Sequence, residues 1–199
     1  MNVLCLDLEG VLVPEVWQAV AAATQVEGLN KTTRDIPVYD DLMQYRLKLL
    51  EEHQITYATI AAEIEKLSPL DGATQFLAWA RRHFQVAIIS DTFYEFADPL
   101  MEKLGRPFLL CHRLEIDDQD MIVNYRIRQP DPKRASVRAF KSLHYKVFAA
   151  GDSFNDVTML EEADFGYFLH APDNVTSQFP QYPVAQNHDE LKRLLQSEI

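Results

Sequence analysis

Two acids open the chain: in "MNVLCLDLEGVLVP", Asp7 closes an apolar run and Glu9 follows it beside Gly10. An acid at a strand end has two readings. It can cap the helix that comes next, or it can hold a metal or attack a substrate at the carboxyl edge of a sheet. Two further runs end in polar clusters, Ser90-Asp91-Thr92 and Gly151-Asp152-Ser153-Phe154-Asn155-Asp156, and Lys133 opens the helical stretch that leads into the second of them. Residues i and i+2 of extended backbone face one side, so Asp7 and Glu9 can serve one site. The chemistry these groups suit together is phosphoryl transfer through Mg²⁺. Asp7 and Asp152 offer the carboxylate oxygens that a hard cation prefers, and one carboxylate near the metal can attack phosphorus. Lys133 and the Ser90 hydroxyl can stabilise the charge of the transition state. A second acid, Glu9, can protonate the leaving alkoxide and later activate an entering hydroxyl.

Such groups meet only if their strands lie side by side. The runs "VLCLDL" (3–8), "VAIIS" (86–90), "FLLC" (108–111), "VFAAGD" (147–152) and "FGYFLH" (165–170) are short, apolar and bounded by turns, the pattern of parallel strands covered on both faces. Helical spacing occupies 72–84, 94–105, 132–144 and 155–163, with Gly105 where a C-cap belongs. This alternation predicts a three-layer, Rossmann-like α/β fold whose strand ends share one edge. Residues from about Val16 to Leu67 break the rhythm: "VWQAVAAAT", "YDDLMQYRLKLLEEH" and "YATIAAEIEKL" read as helices around the polar joint "EGLNKTTRDIP". The expected organisation is a core of 1–14 and 69–199 with a helical insert, 15–68, after the first strand. A second insertion, "LEIDDQDMIVNYRIRQ" (114–129), alternates like a β-hairpin. Counted from Asp117 as a calcium loop, its sixth and twelfth positions hold Ile122 and Arg128 instead of Gly and Glu, so "DDQD" reads as a solvated turn. "HDELKRLLQS" near the end reads as a short amphipathic helix.

Composition narrows the function classes. The 199 residues are 47% hydrophobic and 25% charged, which suits a domain with a sizeable core. A net charge of −11 without a Lys/Arg run argues against a nucleic-acid partner. Cys5 and Cys111 have no metal-ligand spacing and read as buried free thiols of a reducing compartment. No apolar stretch reaches membrane-spanning length, and the first strand begins too early for a leader, so the expected setting is the cytoplasm with no membrane partner. The histidines His53, His83, His112, His144, His170 and His188 are scattered, and most read as surface or helix-end residues.

The order DxE, SDT, K, GDSxND resembles the haloacid dehalogenase superfamily, whose members are mostly phosphatases, and it spans Asp7 to Asp156. The resemblance implies Asp7 as nucleophile and magnesium ligand, joined on the metal by the backbone carbonyl of Glu9 and by Asp152. It implies Ser90, Asp91, Thr92 and Lys133 around the phosphoryl group, Asn155 at the substrate, and Asp156 in support of the metal shell. The insert is similar to the small helical cap of the phosphoserine phosphatase branch, which implies Glu15 for the α-ammonium of L-phosphoserine and Arg46, in "LMQYRLKLL", for its α-carboxylate. Read alone, Glu15 is also an ordinary helix-dipole partner and Arg46 a solvated residue. "LDLEGVLVPE", "SDTFYEF", "TTRDIP", "DPKR" and "AAGDS" resemble a bacterial subgroup described as bifunctional phosphoserine phosphatase and phosphoserine–homoserine phosphotransferase, which adds homoserine as an acceptor. Two alternatives stand beside this reading: a phosphatase for another small phosphomonoester, and a binding protein that has lost catalysis. The sequence carries no signal of oligomeric state.

Overall fold

A computed structural model of the chain describes residues 1–32, 35–36 and 38–199; Thr33, Arg34 and Pro37 of "TTRDIP" lie outside the described residues. The first apolar run forms β1 (Asn2–Leu6), and the central strands on either side of it are β2 (Gln85–Phe93) and β5 (Lys146–Gly151), both parallel to β1. With β3 (Phe108–Ile116), β4 (Ile122–Arg126), β6 (Phe165–Leu169) and β7 (Val184–Ala185) they make a seven-stranded sheet of order β4-β3-β2-β1-β5-β6-β7. Only the β3–β4 pair is antiparallel. The expected α/β fold is therefore the observed one, and β1, which carries Asp7 at its end, sits at the centre.

Strand alternation splits the apolar residues between two faces. Leu4, Leu6, Ile88, Phe148 and Ala150 belong to one buried cluster, and Val3, Cys5, Ala87, Ile89, Val147 and Ala149 to the other. The helices α4 (Ala73–Ala80), α5 (Tyr94–Lys103), α6 (Pro132–Ser142), α7 (Val157–Glu162) and α9 (His188–Gln196) cover these faces. The first cluster is the larger because it continues into the insert. There α1 (Val16–Thr24), α2 (Tyr39–Glu52) and α3 (Tyr57–Ile64) contribute Val16, Val20, Met43, Leu50, Ile60 and Ile64. The insert thus packs onto one sheet face by the same apolar burial that holds the sheet together.

Three features differ from the expectation. The run "FLLC" and the first arm of the hairpin are one strand: β3 pairs parallel with β2 as far as His112 and antiparallel with β4 from Arg113 onward. The "DDQD" turn faces solvent as expected, with Asp117, Asp118 and Gln119 exposed, but it is also tied to the insert. The Asp117 carboxylate accepts the amides of Gln119 and Met121, while Asp120 receives the Tyr57 amide on its carbonyl and the Ala58 amide on its carboxylate, each at 2.8 Å. The turn thereby satisfies backbone donors that the first turn of α3 leaves open. Lastly, α8 (Asp173–Thr176) and β7 occupy a tail in which only the final helix was expected. Both cysteines are buried free thiols, as anticipated, and no helix among the described residues is long and apolar enough to cross a membrane.

Candidate active site

The strand ends of β1, β2 and β5 converge, and Lys133 lies between them. Its side chain is 1% exposed, with the ammonium 2.9 Å from Asp7 Oδ2, 2.5 Å from Asp156 Oδ1 and 3.8 Å from Asp91 Oδ2. The sequence places it there by opening α6 with Pro132, whose fixed backbone angle suits a first helical turn. A buried ammonium is costly unless it is paired, and three carboxylates hold it charged, well above the usual lysine range. Asp7 behaves oppositely. Burial, with Asp156 and Asp152 nearby, pushes its carboxyl well above the ordinary aspartate range, and Lys133 opposes that shift.

Asp156 is fully buried, and both its oxygens are engaged. Oδ1 accepts from Lys133, while Oδ2 accepts from the Asp152 amide at 3.0 Å and from the Ser153 amide and hydroxyl at 3.1 Å. It is the hub of a capping box that fixes the turn after β5. Gly151 permits this approach, since a Cβ there would lie 2.2 Å from Asp156 Cγ. Asp152 remains with its carboxylate oxygens uncommitted to such a box and is pushed up to about 7, first by burial and then by Asp156. It packs against Gly10, where a Cβ would meet Asp152 Oδ2 at 2.4 Å, and Gly10 has φ +75°. Both observations require glycine at position 10. Carboxylate oxygens of Asp7, Asp152 and Asp156 lie within 4.8 Å of one another.

The β2 end is held differently. The β2–β3 ladder shifts register between Ile89 and Phe93, which frees Ser90, Asp91 and Thr92 from regular pairing. Ser90 and Thr92 are buried, and the Thr92 amide donates to Ser90 Oγ at 3.3 Å. Asp91 accepts from Asn155 Nδ2 at 2.9 Å and faces His112 Nε2 at 3.6 Å. His112 Nδ1 receives the Arg128 amide, so the ring's proton sits on the Nε2 that faces Asp91. Lys133, His112 and Asn155 outweigh burial and hold the Asp91 carboxyl well below the usual range. His53, His83, His144 and His170 are exposed, as expected of most of the histidines, while His112, 2% exposed, is an exception whose apolar neighbours in "FLLCHRL" were the available signal.

Glu9 resolves the opening ambiguity towards capping for its side chain. Its Oε2 accepts the amide of Val16, the first residue of α1, at 2.9 Å, a donor the helix leaves open. Glu15 lies beside it, and burial, Glu9 and Asp152 push the Glu15 carboxyl up to about 8. Arg46 is 7% exposed instead of solvated. Its Nη2 donates to the Lys31 carbonyl at 2.7 Å, its guanidinium stacks 4.5 Å from the Trp17 ring, and its Nε is buried without a hydrogen-bond partner among the described residues. Burial lowers Arg46 to about 10, with Tyr39, Glu9 and Glu15 opposing the shift, so it stays a cation at neutral pH. A residue the sequence reading passed over, Tyr39, donates its hydroxyl to the Asp91 carbonyl. The expected residues therefore form two groups, one around Lys133 and one, Glu9–Glu15–Arg46, at the start of the insert.

A family model described as haloacid dehalogenase-like hydrolase matches residues 1–164. The chain belongs to that family. Among curated relatives of this haloacid dehalogenase-like hydrolase, "Phosphoserine phosphatase" of Pseudomonas syringae pv. tomato is 58% identical over 193 residues, covering 97% of this chain and 81% of the relative. "Phosphoserine phosphatase ThrH" of Pseudomonas aeruginosa is likewise 58% identical over 97% of this chain and 94% of its own. The fold matches a solved phospho-aspartyl intermediate analogue of phosphoserine phosphatase with TM-score 0.80 at 17% identity, covering 98% of both chains. A substrate-bound phosphoserine phosphatase complex matches with TM-score 0.80 at 18% identity, over 98% of this chain and 97% of the other.

Proposed function

We propose that this hydrolase is a Mg²⁺-dependent phosphoserine phosphatase acting through an aspartyl-phosphate on Asp7, and that it also transfers the phosphoryl group to homoserine. The observation that carries the reading is the buried Lys133 ammonium paired with Asp7 at 2.9 Å, on an edge where Arg46 keeps a buried Nε without a partner among the described residues. The first feature suits a phosphoryl group, and the second suits the carboxylate of an amino-acid substrate. The names of the two relatives support the same substrate. In this reading 15–68 is a cap over a core of 1–14 and 69–199, and the setting is the cytoplasm, in keeping with two free thiols.

The donor set fits a hard cation: Asp7 and Asp152 are close carboxylates that burial and the neighbouring Asp156 both push up, and a bound dication would favour their charged forms. Asp7, Asp152 and the Glu9 carbonyl would hold Mg²⁺, while the committed oxygens of Asp156 leave it the role of aligning Asp152 and Lys133. Bound there, Mg²⁺ would neutralise phosphoryl oxygens beside the nucleophile.

Asp7 attacks phosphorus, the bond to the serine oxygen breaks, and that oxygen takes a proton. Water or the homoserine hydroxyl then attacks the phosphoryl group, giving up its proton, and the bond between phosphorus and the Asp7 oxygen breaks to restore the carboxylate. Lys133 and Ser90 stabilise the developing charge, Asp91 and Thr92 shape the phosphoryl pocket, and Asn155 lies at the substrate. Glu15 faces the α-ammonium, and Arg46 faces the α-carboxylate. Glu9 handles the proton, and one methylene more than aspartate sets its carboxyl farther along the site. The lengthened acid slows water and leaves time for the acceptor.

Product analysis with L-phosphoserine and Mg²⁺, with and without homoserine, tests the proposal. Inorganic phosphate is expected alone, and phosphohomoserine alongside it when homoserine is present. Turnover of neither would overturn the substrate assignment. An Arg46→Ala variant that loses equally on phosphoserine and on p-nitrophenyl phosphate would remove Arg46 from the substrate site. An unchanged hydrolysis-to-transfer ratio in Glu9→Asp would remove the role given to the longer acid.

A further inference from the structure

The insert is attached to the core by two linkers, one leaving β1 through Gly10–Pro14 and one returning through Pro69–Gly72 to α4. They touch directly where the Leu70 amide donates to the Leu12 carbonyl at 2.9 Å. A third segment joins them there. His188, the first residue of α9, is 3% exposed; its Nε2 lies 2.8 Å from the Val11 carbonyl and its Nδ1 lies 2.9 Å from the Asp71 carbonyl. One ring thus spans both linkers from a helix more than a hundred residues away in sequence. A singly protonated imidazole donates to one of these carbonyls, and an imidazolium donates to both. The ring is wedged in place by Phe76, at 5.5 Å between centroids, and by His170, at 5.3 Å. Gly72 closes the fit, since a Cβ there would come 3.4 Å from Nδ1. His170 adds a contact of its own, with Nδ1 3.0 Å from the Gly10 carbonyl.

We propose that His188 is a positioning residue for turnover of the amino-acid substrate, clasping the two linkers so that the insert holds Glu15 and Arg46 in register with Asp7. The proposal rests on the substrate reading above. Its logic is geometric: Glu9 and Gly10 follow directly from β1, and Val11 is the next residue, so a shift of its carbonyl moves the loop that starts the insert. The groups around Lys133 are fixed instead by β2, β5, α6 and the end of β1, where the Asp7 amide donates to the Ala150 carbonyl at 3.0 Å, and His188 bonds to none of these. Loosening the clasp therefore acts on recognition of the α-carboxylate and α-ammonium and leaves the phosphoryl chemistry in place.

The test compares wild type, His188→Gln and His188→Leu on two substrates well below the melting temperature: L-phosphoserine, and p-nitrophenyl phosphate, which carries neither an ammonium nor a carboxylate. The expected result is a loss of about tenfold in kcat/KM for phosphoserine, mostly in KM and larger for Leu than for Gln, as ångström-scale misplacement produces. Turnover of p-nitrophenyl phosphate is expected to stay within about twofold of wild type. Hydrogen exchange at the Leu70 amide is expected to quicken in both variants. Should His188→Leu not fold, His188→Gln carries the comparison. Parallel losses on both substrates, or no loss on either, would overturn the positioning role. A wild-type protein that ignores phosphoserine while cleaving p-nitrophenyl phosphate would instead overturn the substrate reading, and this inference with it.

Discussion

The hydroxyl of Tyr39 donates to the backbone carbonyl of Asp91 across 2.9 Å, joining the first turn of α2 to the end of β2. Burial pushes the phenol far above its ordinary range, so it is a permanent donor. The same ring meets His112 edge-on at 6.1 Å and Tyr125 at 6.3 Å, and the Tyr125 hydroxyl donates to Asp40. Removing one hydroxyl, in Tyr39→Phe, leaves a buried carbonyl short of one bond. The expected cost is about 1 kcal/mol of stability, read by denaturant unfolding, with a several-fold rise in KM for phosphoserine and little change for p-nitrophenyl phosphate.

Lys133 and Asp7 are predicted to respond differently to neutralisation. Lys133→Met leaves Asp7, Asp91 and Asp156 facing one another without their cation. A loss of about 3–5 kcal/mol follows from breaking such a buried set, or a melting temperature lower by roughly 10 °C. Asp7→Asn removes an acid that burial and two neighbouring carboxylates already disfavour, while Lys133 keeps Asp156. It is expected to abolish turnover and to melt no lower than wild type. A Lys133→Met protein as stable as wild type would contradict this account of the cluster.

Glu15 gives the fold a pH dependence of definite sign. Its carboxyl is raised from the ordinary 4.5 of a glutamate to about 8, so the folded chain binds a proton there that the unfolded chain has released. The stabilisation from the neutral acid is complete below 4.5 and is lost as pH rises towards 8. Melting temperature measured from pH 5 to 8.5 should therefore fall more steeply for wild type than for Glu15→Gln. The variant should be the more stable protein at pH 8, by roughly 3 °C, while its KM for phosphoserine rises. Parallel melting curves would refute the assignment.

Cation binding is expected to release protons. Asp152 is held up at about 7, so the empty site is partly protonated at neutral pH, and a dication needs the carboxylate. Apparent Mg²⁺ affinity should rise with pH through 7 and level off above it. Titration calorimetry in two buffers of different ionisation enthalpy measures the protons released, and chelation with EDTA should abolish turnover. A pH-independent affinity would mean that Asp152 is not a ligand.

The sheet and the cluster around Lys133 were legible because each rests on a local signal: an apolar run for a strand, a polar cluster at its end, and Pro132-Lys133 at a helix start. What stayed hidden was decided by distant packing. Nothing in "FLLCHRLEI" announces that one strand serves two neighbours of opposite direction, since each pairing depends on where the partner lies. The orientation of Glu9 towards Val16 depends on where α1 begins in space. His112, His188 and Tyr39 became visible as connecting residues only once their partners, Asp91, Val11 and Asp71, were brought beside them by the fold. The helix α8 and the strand β7 are four and two residues long, too short for any periodicity to register.

The central strand of the sheet is enclosed late. Val3 pairs with Gln85 on one side and with Val147 on the other, so β1 lacks its second neighbour until β5 has been made. Until β5 emerges, Leu4, Leu6 and their facing residues are an apolar ribbon with an open edge, the kind of segment that invites association between nascent chains. Closing it over long sequence separation makes for a slow step in folding. The strand that carries Asp7 is thus also where this protein is most exposed to misassembly, and truncations ending before Gly151 should yield aggregates in place of a smaller protein.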